Sequence, residues 1–469
     1  MRRRTKIVAT LGPAIHSQEK LLALLQAGVN VLRLNCSHGD WDAKRQWIAW
    51  LRDSEFSNRV GVLADLQGPK IRLGILPNDA VTLETGQTAT ITQLDGPHLS
   101  VPDERIFNAL ALGDRVLIGD GHVELRVTAR VDNAVMVSVI SGGVVKTKQG
   151  VTVVGRSFPV ESLTAKDRDD VRQACAAGVD FIALSYVRTA DEMVELRDLV
   201  NDYDPFISLC AKVETREAVR NIDSIIEASD VIMVARGDLG LQVDIEDVPI
   251  MQKQIIRRCL RFGKPVITAT QMMESMIDSP RPTRAEATDI ANAVMDGTDA
   301  LMLSGETAAG NFPLECVRTM AKIAERSDGA FDHESHFDRS HLGQKDVDIR
   351  HTEAVAQSAV QLATTLKTKA IVCTSTSGMT PRLVAKFRPD CPVFCATWDP
   401  RVQRRLSISW GVETALVEFA DANEEVVRRA IGGFKDTKRL RSGDPVVVTA
   451  GVPAGVPGRT NLIQFEFVD

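Results

Sequence analysis

No stretch of this chain approaches the roughly 20 consecutive apolar residues that a membrane-spanning helix needs. The basic start Arg2-Arg3-Arg4 has no apolar leader behind it, because Pro13 and His16 interrupt the one candidate, so the arginines read as a solvated tail. No Cys-x-x-Cys pair occurs, and the eight cysteines stand apart at 36, 175, 210, 259, 316, 373, 391 and 395. That usage excludes a disulfide framework and fits buried thiols of a cytoplasmic protein. Cys391 and Cys395, the one close pair, read as strand packing rather than metal ligands. An excess of positive charge is lacking too: 56 Lys and Arg face 62 Asp and Glu, for a net charge of −6. A nucleic-acid binder would need a basic surface to neutralise phosphates. Neither nucleic acid nor membrane is therefore expected as a partner. Both GxGxxG and GxxxxGK[ST] are missing, and with them the usual signatures of an open nucleotide-binding sheet.

What is present is globular: 469 residues, 44% hydrophobic and 25% charged. At roughly 150 residues per domain that length suggests about three domains. Short β-branched apolar runs alternate with amphipathic helical stretches. Lys6 to Leu11 precedes a helix over 17–27, where Leu21, Leu22, Leu24 and Leu25 recur at helical spacing. Val29 to Leu34 precedes a helix over 41–51, and Val60 to Leu66 is the third run. The fourth, Phe181 to Val187, comes after a helix for which Thr164 is a fitting N-cap. Runs at 206–213, 231–235, 265–269 and 300–303 each precede a helix, which makes eight units in all. Parallel strands need helical crossovers, and eight of them close a barrel without edges. A (β/α)8 TIM barrel is expected, with an open doubly wound sheet as the rival.

From about Arg72 to Gly155 the text turns strand-rich, with clear alternation over 122–131 and a hairpin turn at Asp132-Asn133. This reads as an all-β insertion, a small β-barrel lid on the loop face of the barrel. After Asp328 a polar stretch with three histidines (331–341) reads as a solvated linker. A C-terminal α/β domain comes next, with strands at 370–373, 393–396, 446–449 and 461–468. The expected limits are 1–71 and 156–340 for the barrel, 72–155 for the lid and 341–469 for the last domain.

Catalytic groups of such barrels project from the C-terminal ends of strands. Lys212 and Glu214 are two apart and point to the same side of a strand. Asp238, after the next strand, falls beside Glu214. Two carboxylates held together call for a cation between them, and oxygen ligands suit Mg²⁺ or Mn²⁺. Gly237 and Gly240 allow backbone N–H groups to approach an anion. Arg33, Lys70, Arg72 and Lys212 gather at the same mouth. Cations around a hard metal suit phosphate and carboxylate groups and therefore phosphoryl transfer.

Lys6-Ile7-Val8-Ala9-Thr10-Leu11-Gly12-Pro13, Arg33-Leu34-Asn35-Cys36-Ser37-His38-Gly39, Met233-Val234-Ala235-Arg236-Gly237-Asp238-Leu239-Gly240, Ala269-Thr270-Gln271-Met272, Arg281-Pro282-Thr283-Arg284-Ala285-Glu286 and Met302-Leu303-Ser304-Gly305-Glu306-Thr307 resemble the pyruvate kinase family, in order along the whole chain. The resemblance implies transfer of phosphate from phosphoenolpyruvate to ADP, giving pyruvate and ATP as the last step of glycolysis. It implies Lys212 as the ammonium that stabilises the phosphoryl group, Glu214 and Asp238 as divalent-metal ligands, and Arg33 on the substrate phosphate. Gly237 and Asp238 would hold the substrate carboxylate, with Thr270 beside the protonation site. Asn35, Ser37, His38 and Arg72 match the nucleotide and cation side. The proton donor stays open between Thr270, Ser304 with Glu306, and a water. A homotetramer is the family's usual assembly.

Three departures stand out. Lys70 takes the place of a glutamate that supports K⁺ in many members, and Leu66 and Gln67 look like the subgroup that works without K⁺. Asn35, Ser37, Asp65 and Leu66 remain where the monovalent-cation pocket would be. K⁺ is therefore not expected to be required, with the Lys70 ammonium in its place. Lys148 stands one position early for the lid lysine expected on the nucleotide phosphates. Thr374-Ser375-Thr376-Ser377-Gly378, between a strand and a helix, resembles the effector-phosphate loop and suits a sugar phosphate or a nucleotide monophosphate. The tail from Gly451 to Asn461 resembles the glycine-rich loop near that site. Two rivals remain: a metal-dependent barrel lyase acting on phosphoenolpyruvate or pyruvate, and a non-catalytic sensor. The sensor reading would be signalled by loss of Lys212, Glu214 or Asp238, and all three are present.

Overall fold

Eight parallel strands close into a barrel in the computed structural model, which describes residues 3–156, 158, 160–340, 342–343, 346–420, 422–452 and 460–469. In chain order they are Lys6–Leu11, Val31–Asn35, Gly61–Asp65, Phe181–Leu184, Ser208–Val213, Val231–Ala235, Val266–Ala269 and Ala300–Leu303. Each pairs with its sequence neighbours, and the eighth returns to the first with Lys6 opposite Ala300 and Ala9 opposite Leu303. Closure removes the free edges that an open sheet would expose. Val8, Leu63, Phe181, Met233, Ile267 and Met302 fill the interior, while the opposite strand faces pack under the helices. Ile408, from the C-terminal domain, joins the interior cluster and stoppers the barrel at its N-terminal end. Gly61 makes room for this segment, since a Cβ there would lie 2.7 Å from Ser407 Oγ and 3.1 Å from Arg404 O.

Thr164 caps its helix as expected, in a reciprocal box with Asp167. Gly263 closes the helix Val248–Phe262 at φ 64, a left-handed conformation that glycine adopts without a Cβ clash. A helix next to the candidate site is not legible in the sequence pattern. Arg236–Gln242 begins directly where the sixth strand ends.

The insertion leaves the barrel after the third strand through a narrow neck. Leu73 N–H donates to Gln149 O (2.9 Å) and Val151 N–H to Ile71 O (3.0 Å), with Arg72 bridged to Gly150. Beyond the neck lies a six-stranded sheet ordered 151–153, 115–118, 123–131, 134–141, 88–92, 99–100, and a two-stranded ribbon of 80–83 with 143–146. The expected all-β lid is thus a six-stranded sheet with a two-stranded ribbon, and the edge strands of the sheet do not pair with each other among the described residues. It also holds one short helix, Glu104–Ala109. The insertion reaches back to the barrel mouth: Arg115 Nη1 lies 3.9 Å from Asp244 Oδ1.

The stretch after Asp328 departs from the expected solvated linker. His333–Arg339 is a helix docked on the C-terminal domain. One imidazole nitrogen of His333 lies 2.7 Å from Arg388 O, and His336 Nε2 lies 3.0 Å from Lys386 O. Phe331 packs on both rings, at 5.1 and 5.5 Å between centroids. Aromatic bodies with polar tips bury their faces and still bond carbonyls, which a hydrophilicity count misses. The last domain is a five-stranded sheet ordered 412–416, 393–397, 370–374, 445–451, 460–467, antiparallel only at the final strand. No helix is long and apolar enough to cross a membrane among the described residues.

Burial, reinforced by the nearby Arg388, lowers the His336 pKa to about 4. The unfolded chain, with its histidine near 6.5, binds the extra proton first. Stability from this site is therefore complete above about pH 6.5 and is lost as the pH falls toward 4. Replacing His336 with Gln is expected to flatten that part of the acid limb, measured as the denaturation midpoint between pH 7 and pH 4.

Candidate active site

The C-terminal ends of the second, third and fifth strands bring three charged side chains into one buried cluster. Asp65 ends the third strand and is 1% exposed. Arg33 Nε donates to its Oδ2 (2.6 Å), and Lys212 Nζ lies 3.2 Å from its Oδ1. Arg33 Nη1 also donates to Thr10 Oγ1 (2.9 Å). Lys212 Nζ donates to Ser185 Oγ (2.7 Å) and lies 2.9 Å from Glu214 Oε1. Burial opposes the charge on Lys212, yet Asp65 and Glu214 outweigh it and raise its pKa. Burial likewise opposes the Asp65 carboxylate, but Lys212 and Arg33 hold its pKa below the ordinary value. Glu214 is pushed the other way: burial raises its pKa, Lys212 opposes, and the neighbouring Asp238 raises it further. Its Oε1, although close to Lys212, has no aligned hydrogen-bond donor.

Tyr186 joins the two metal-site carboxylates proposed from sequence. Its N–H donates to Glu214 Oε2 (2.6 Å) and its hydroxyl to Asp238 Oδ1 (3.1 Å). That double grip requires φ 57, a left-handed backbone that a residue with a Cβ seldom adopts. Lys70 Nζ lies 3.4 Å from the same Asp238 oxygen. The pair Glu214 and Asp238 is an oxygen-only donor set with an unbonded buried oxygen, which fits a hard divalent ion that draws its remaining ligands from substrate and water. Among the described residues no group of three or more His, Cys, Asp or Glu could hold a metal by itself.

The seventh strand ends in strained backbone. Thr270 (φ 66) and Gln271 (φ 53) are both left-handed, and Thr270 is β-branched. Thr270 Oγ1 accepts from Gly237 N–H (2.7 Å) and donates to Ala269 O (2.6 Å). Arg236 holds the turn from beneath. Its Nη2 donates to Thr270 O (2.7 Å) and Gln271 O (3.2 Å), while Nη1 grips both oxygens of Asp289 at 2.8 and 2.7 Å. Glu306 accepts from Met273 N–H (3.1 Å) and Ser304 N–H (2.7 Å), tying the seventh and eighth strand ends together.

The other expected residues lie around and beyond this cluster. Asn35 Oδ1 accepts from Ser37 N–H (3.0 Å), shaping the turn after the second strand, and His38 is exposed just beyond. Leu66 is buried with its N–H on Ala183 O. Arg72 Nη1 donates to the backbone carbonyl of Lys148 (3.1 Å), whose side chain is exposed. Thr374 to Gly378 lies apart from this mouth, in the sheet of the C-terminal domain. There Gly378 (φ 81) donates its N–H to Ser375 Oγ (2.8 Å), and the helix Met379–Lys386 starts. Most of the glycine-rich tail, 453–459, lies outside the described residues.

Tyr186, Ser185, Thr10 and the support from Arg236 escape the sequence reading. The apolar run Phe181 to Val187 reads as strand throughout, but the strand stops at Leu184, so Ser185 and Tyr186 are strand-end residues. Inspecting the polar residues at the C-terminal end of every run, the first and fourth included, would expose them.

A closed (β/α)8 barrel with a buried ammonium between carboxylates at its mouth, an insertion over that mouth and cations around it is an arrangement suited to a phosphotransferase. Residues 2–317 match the family model "Pyruvate kinase, barrel domain", and 353–465 match "Pyruvate kinase, alpha/beta domain". The chain is 43% identical to a pyruvate kinase of Geobacillus stearothermophilus over 479 aligned residues, covering all of this chain and 81% of that protein. It is 41% identical to one of Bacillus licheniformis, covering 99% of this chain and 80% of the relative. It is also 41% identical to pyruvate kinase 2 of a Synechocystis strain, at 99% and 79% coverage. The chain belongs to the pyruvate kinase family, and the lyase reading is not favoured.

The Arg236 fork makes a direct prediction. Arg236→Lys keeps the charge but cannot bond Asp289 and two carbonyls at once. It is expected to lower kcat by about 10²-fold by loosening the Thr270 turn, checked by steady-state kinetics alongside the thermal midpoint.

Proposed function

We propose that this mouth moves the phosphoryl group of phosphoenolpyruvate to ADP, and that Lys70 supplies the charge for which many relatives use K⁺. The observation that carries the first part is the buried chain Asp65, Lys212, Glu214, Tyr186, Asp238. The domain limits given above, the effector loop at 374–378, a homotetrameric assembly and a cytoplasmic location belong to the same reading. When bound by Glu214 and Asp238, Mg²⁺ or Mn²⁺ supplies positive charge to the phosphoryl oxygens.

The protein's own groups do the rest. Lys212 remains an ammonium across the neutral range and presents fixed positive charge toward the mouth, the arrangement that stabilises charge developing on a transferred phosphoryl group and on the enolate left behind. Arg33 has donors beyond those given to Asp65 and Thr10 for a substrate phosphate. Gly237 N–H, now donated to Thr270, is the kind of backbone donor that a substrate carboxylate takes over. Thr270 then carries a hydroxyl proton beside the enolate carbon, one of three routes for the final protonation together with Ser304 near Glu306 and a water. On the nucleotide side stand Asn35, Ser37, His38, Arg72 and, from the lid neck, Lys148.

Lys70 Nζ lies 3.4 Å from Asp238 Oδ1. Its ammonium therefore adds charge beside the metal-site carboxylate, and the side chain is one third exposed, so its effect is partly screened. Pyruvate formation from phosphoenolpyruvate and ADP with Mg²⁺ is expected to be equal with and without KCl. Lys70→Glu is expected to make it depend on KCl; full activity of that variant in potassium-free buffer would sink the Lys70 assignment. No activity under any of these conditions would sink the kinase assignment itself.

Tyr186→Phe removes one hydroxyl and leaves the backbone grip on Glu214. It is expected to weaken Mn²⁺ binding about tenfold while Lys212 and Glu214 stay in place, read by electron paramagnetic resonance titration of the metal without substrates.

A further inference from the structure

A second concentration of charge lies at the other end of the barrel. A cavity of about 550 Å³ opens where the residues leading into the first strand meet the C-terminal domain. Seven Lys or Arg side chains line it against two acids, Glu413 and Asp444. Those acids are engaged: Glu413 pairs with Arg439, and Asp444 accepts from the backbone N–H of Arg441 (2.8 Å). Lys369, Lys438 and Arg441 have no acid within ion-pair distance among the described residues, and all three are exposed. Like charges collected around one cavity repel unless a counter-charge enters it.

Two guanidinium groups of the lining, one preceding the first barrel strand and one from the C-terminal domain, add a sharper sign. Arg439 Nε and Arg3 Nη1 are buried without any hydrogen-bond partner. Native folds seldom leave such donors unmet. Arg3 is otherwise fixed, its Nη2 donating to Asn30 Oδ1 (2.9 Å), and burial pushes its pKa down to about 10 against the pull of Asp328 and Glu325. The volume falls within the usual range of small-ligand sites, roughly 300–1,000 Å³. Arginine forks and lysine ammonium groups are the usual partners of phosphate oxygens.

We propose that this junction cavity binds a compact anion carrying two or more phosphate groups, held between Arg3 of the barrel and Lys369, Arg439 and Arg441 of the C-terminal domain. One phosphate would leave one wall unanswered, because the cations stand on both domains. The site is distinct from the 374–378 loop, none of whose residues lines the cavity.

The test is calorimetric titration of the full-length enzyme with sodium tripolyphosphate. Three proteins are compared: the wild type, Lys369→Glu/Arg441→Glu, and Ser377→Glu in the 374–378 loop. Binding at the barrel mouth is common to all three. The double variant is expected to lose at least about tenfold in affinity, while kcat and KM for phosphoenolpyruvate without tripolyphosphate stay unchanged. Ser377→Glu is expected to bind as the wild type does, inorganic phosphate to bind the wild type more weakly, and affinity to fall with added salt. Equal binding by the double variant, loss of the event in Ser377→Glu, or no event in the wild type would each overturn the proposal.

Discussion

The barrel mouth depends on one ammonium group. Asp65 and Glu214 are each 1% exposed, and carboxylates buried to that degree persist as anions only beside a fixed cation. Lys212 lies between them and reaches Ser185 as well. Taking it away would leave Asp65 to Arg33 alone and Glu214 without a paired cation among the described residues. The same pairing that keeps the barrel end intact also aims a positive charge at the space where substrate must sit. Structure and chemistry are here a single electrostatic arrangement.

Strain is placed where that arrangement needs accuracy. Tyr186, Thr270 and Gln271 all adopt left-handed backbone at strand ends, and each is over-determined by bonds to neighbours. Tyr186 is fixed by two carboxylates, and the Thr270 turn by Arg236 and Gly237. Relaxed turns would aim the same side chains elsewhere. The cost is carried by the packed barrel beneath, whose strands are buried almost without exception.

Much of this is legible in the residues. The eight strand-then-helix units point to the barrel because a parallel sheet leaves a doubly covered apolar signature. Lys212, Glu214 and Asp238 can be found because the strand-end rule is local. Tyr186 escapes for a physical reason: Val187 prolongs the apolar run, and apolarity does not record where ladder hydrogen bonds stop. Helix Arg236–Gln242 escapes because its glycines read as loop. The docked helix His333–Arg339 escapes because its burial depends on Arg388 and Lys386, far away in sequence. Likewise nothing local shows that Lys70 meets Asp238, 168 positions on.

The narrow neck of the insertion has a mechanical meaning. Its two chain crossings are bonded to each other over 71–74 and 148–151, so the inserted sheet hangs from one short ribbon rather than two separate tethers. Lys70 immediately precedes that ribbon, and its Cε lies 3.0 Å from where a side chain at Gly150 would begin. The ribbon and the ammonium beside Asp238 are therefore packed against each other. The joint of the inserted sheet and the charge at the mouth thus share one short stretch of chain, so a side chain added at Gly150 would press directly on the residue that meets Asp238.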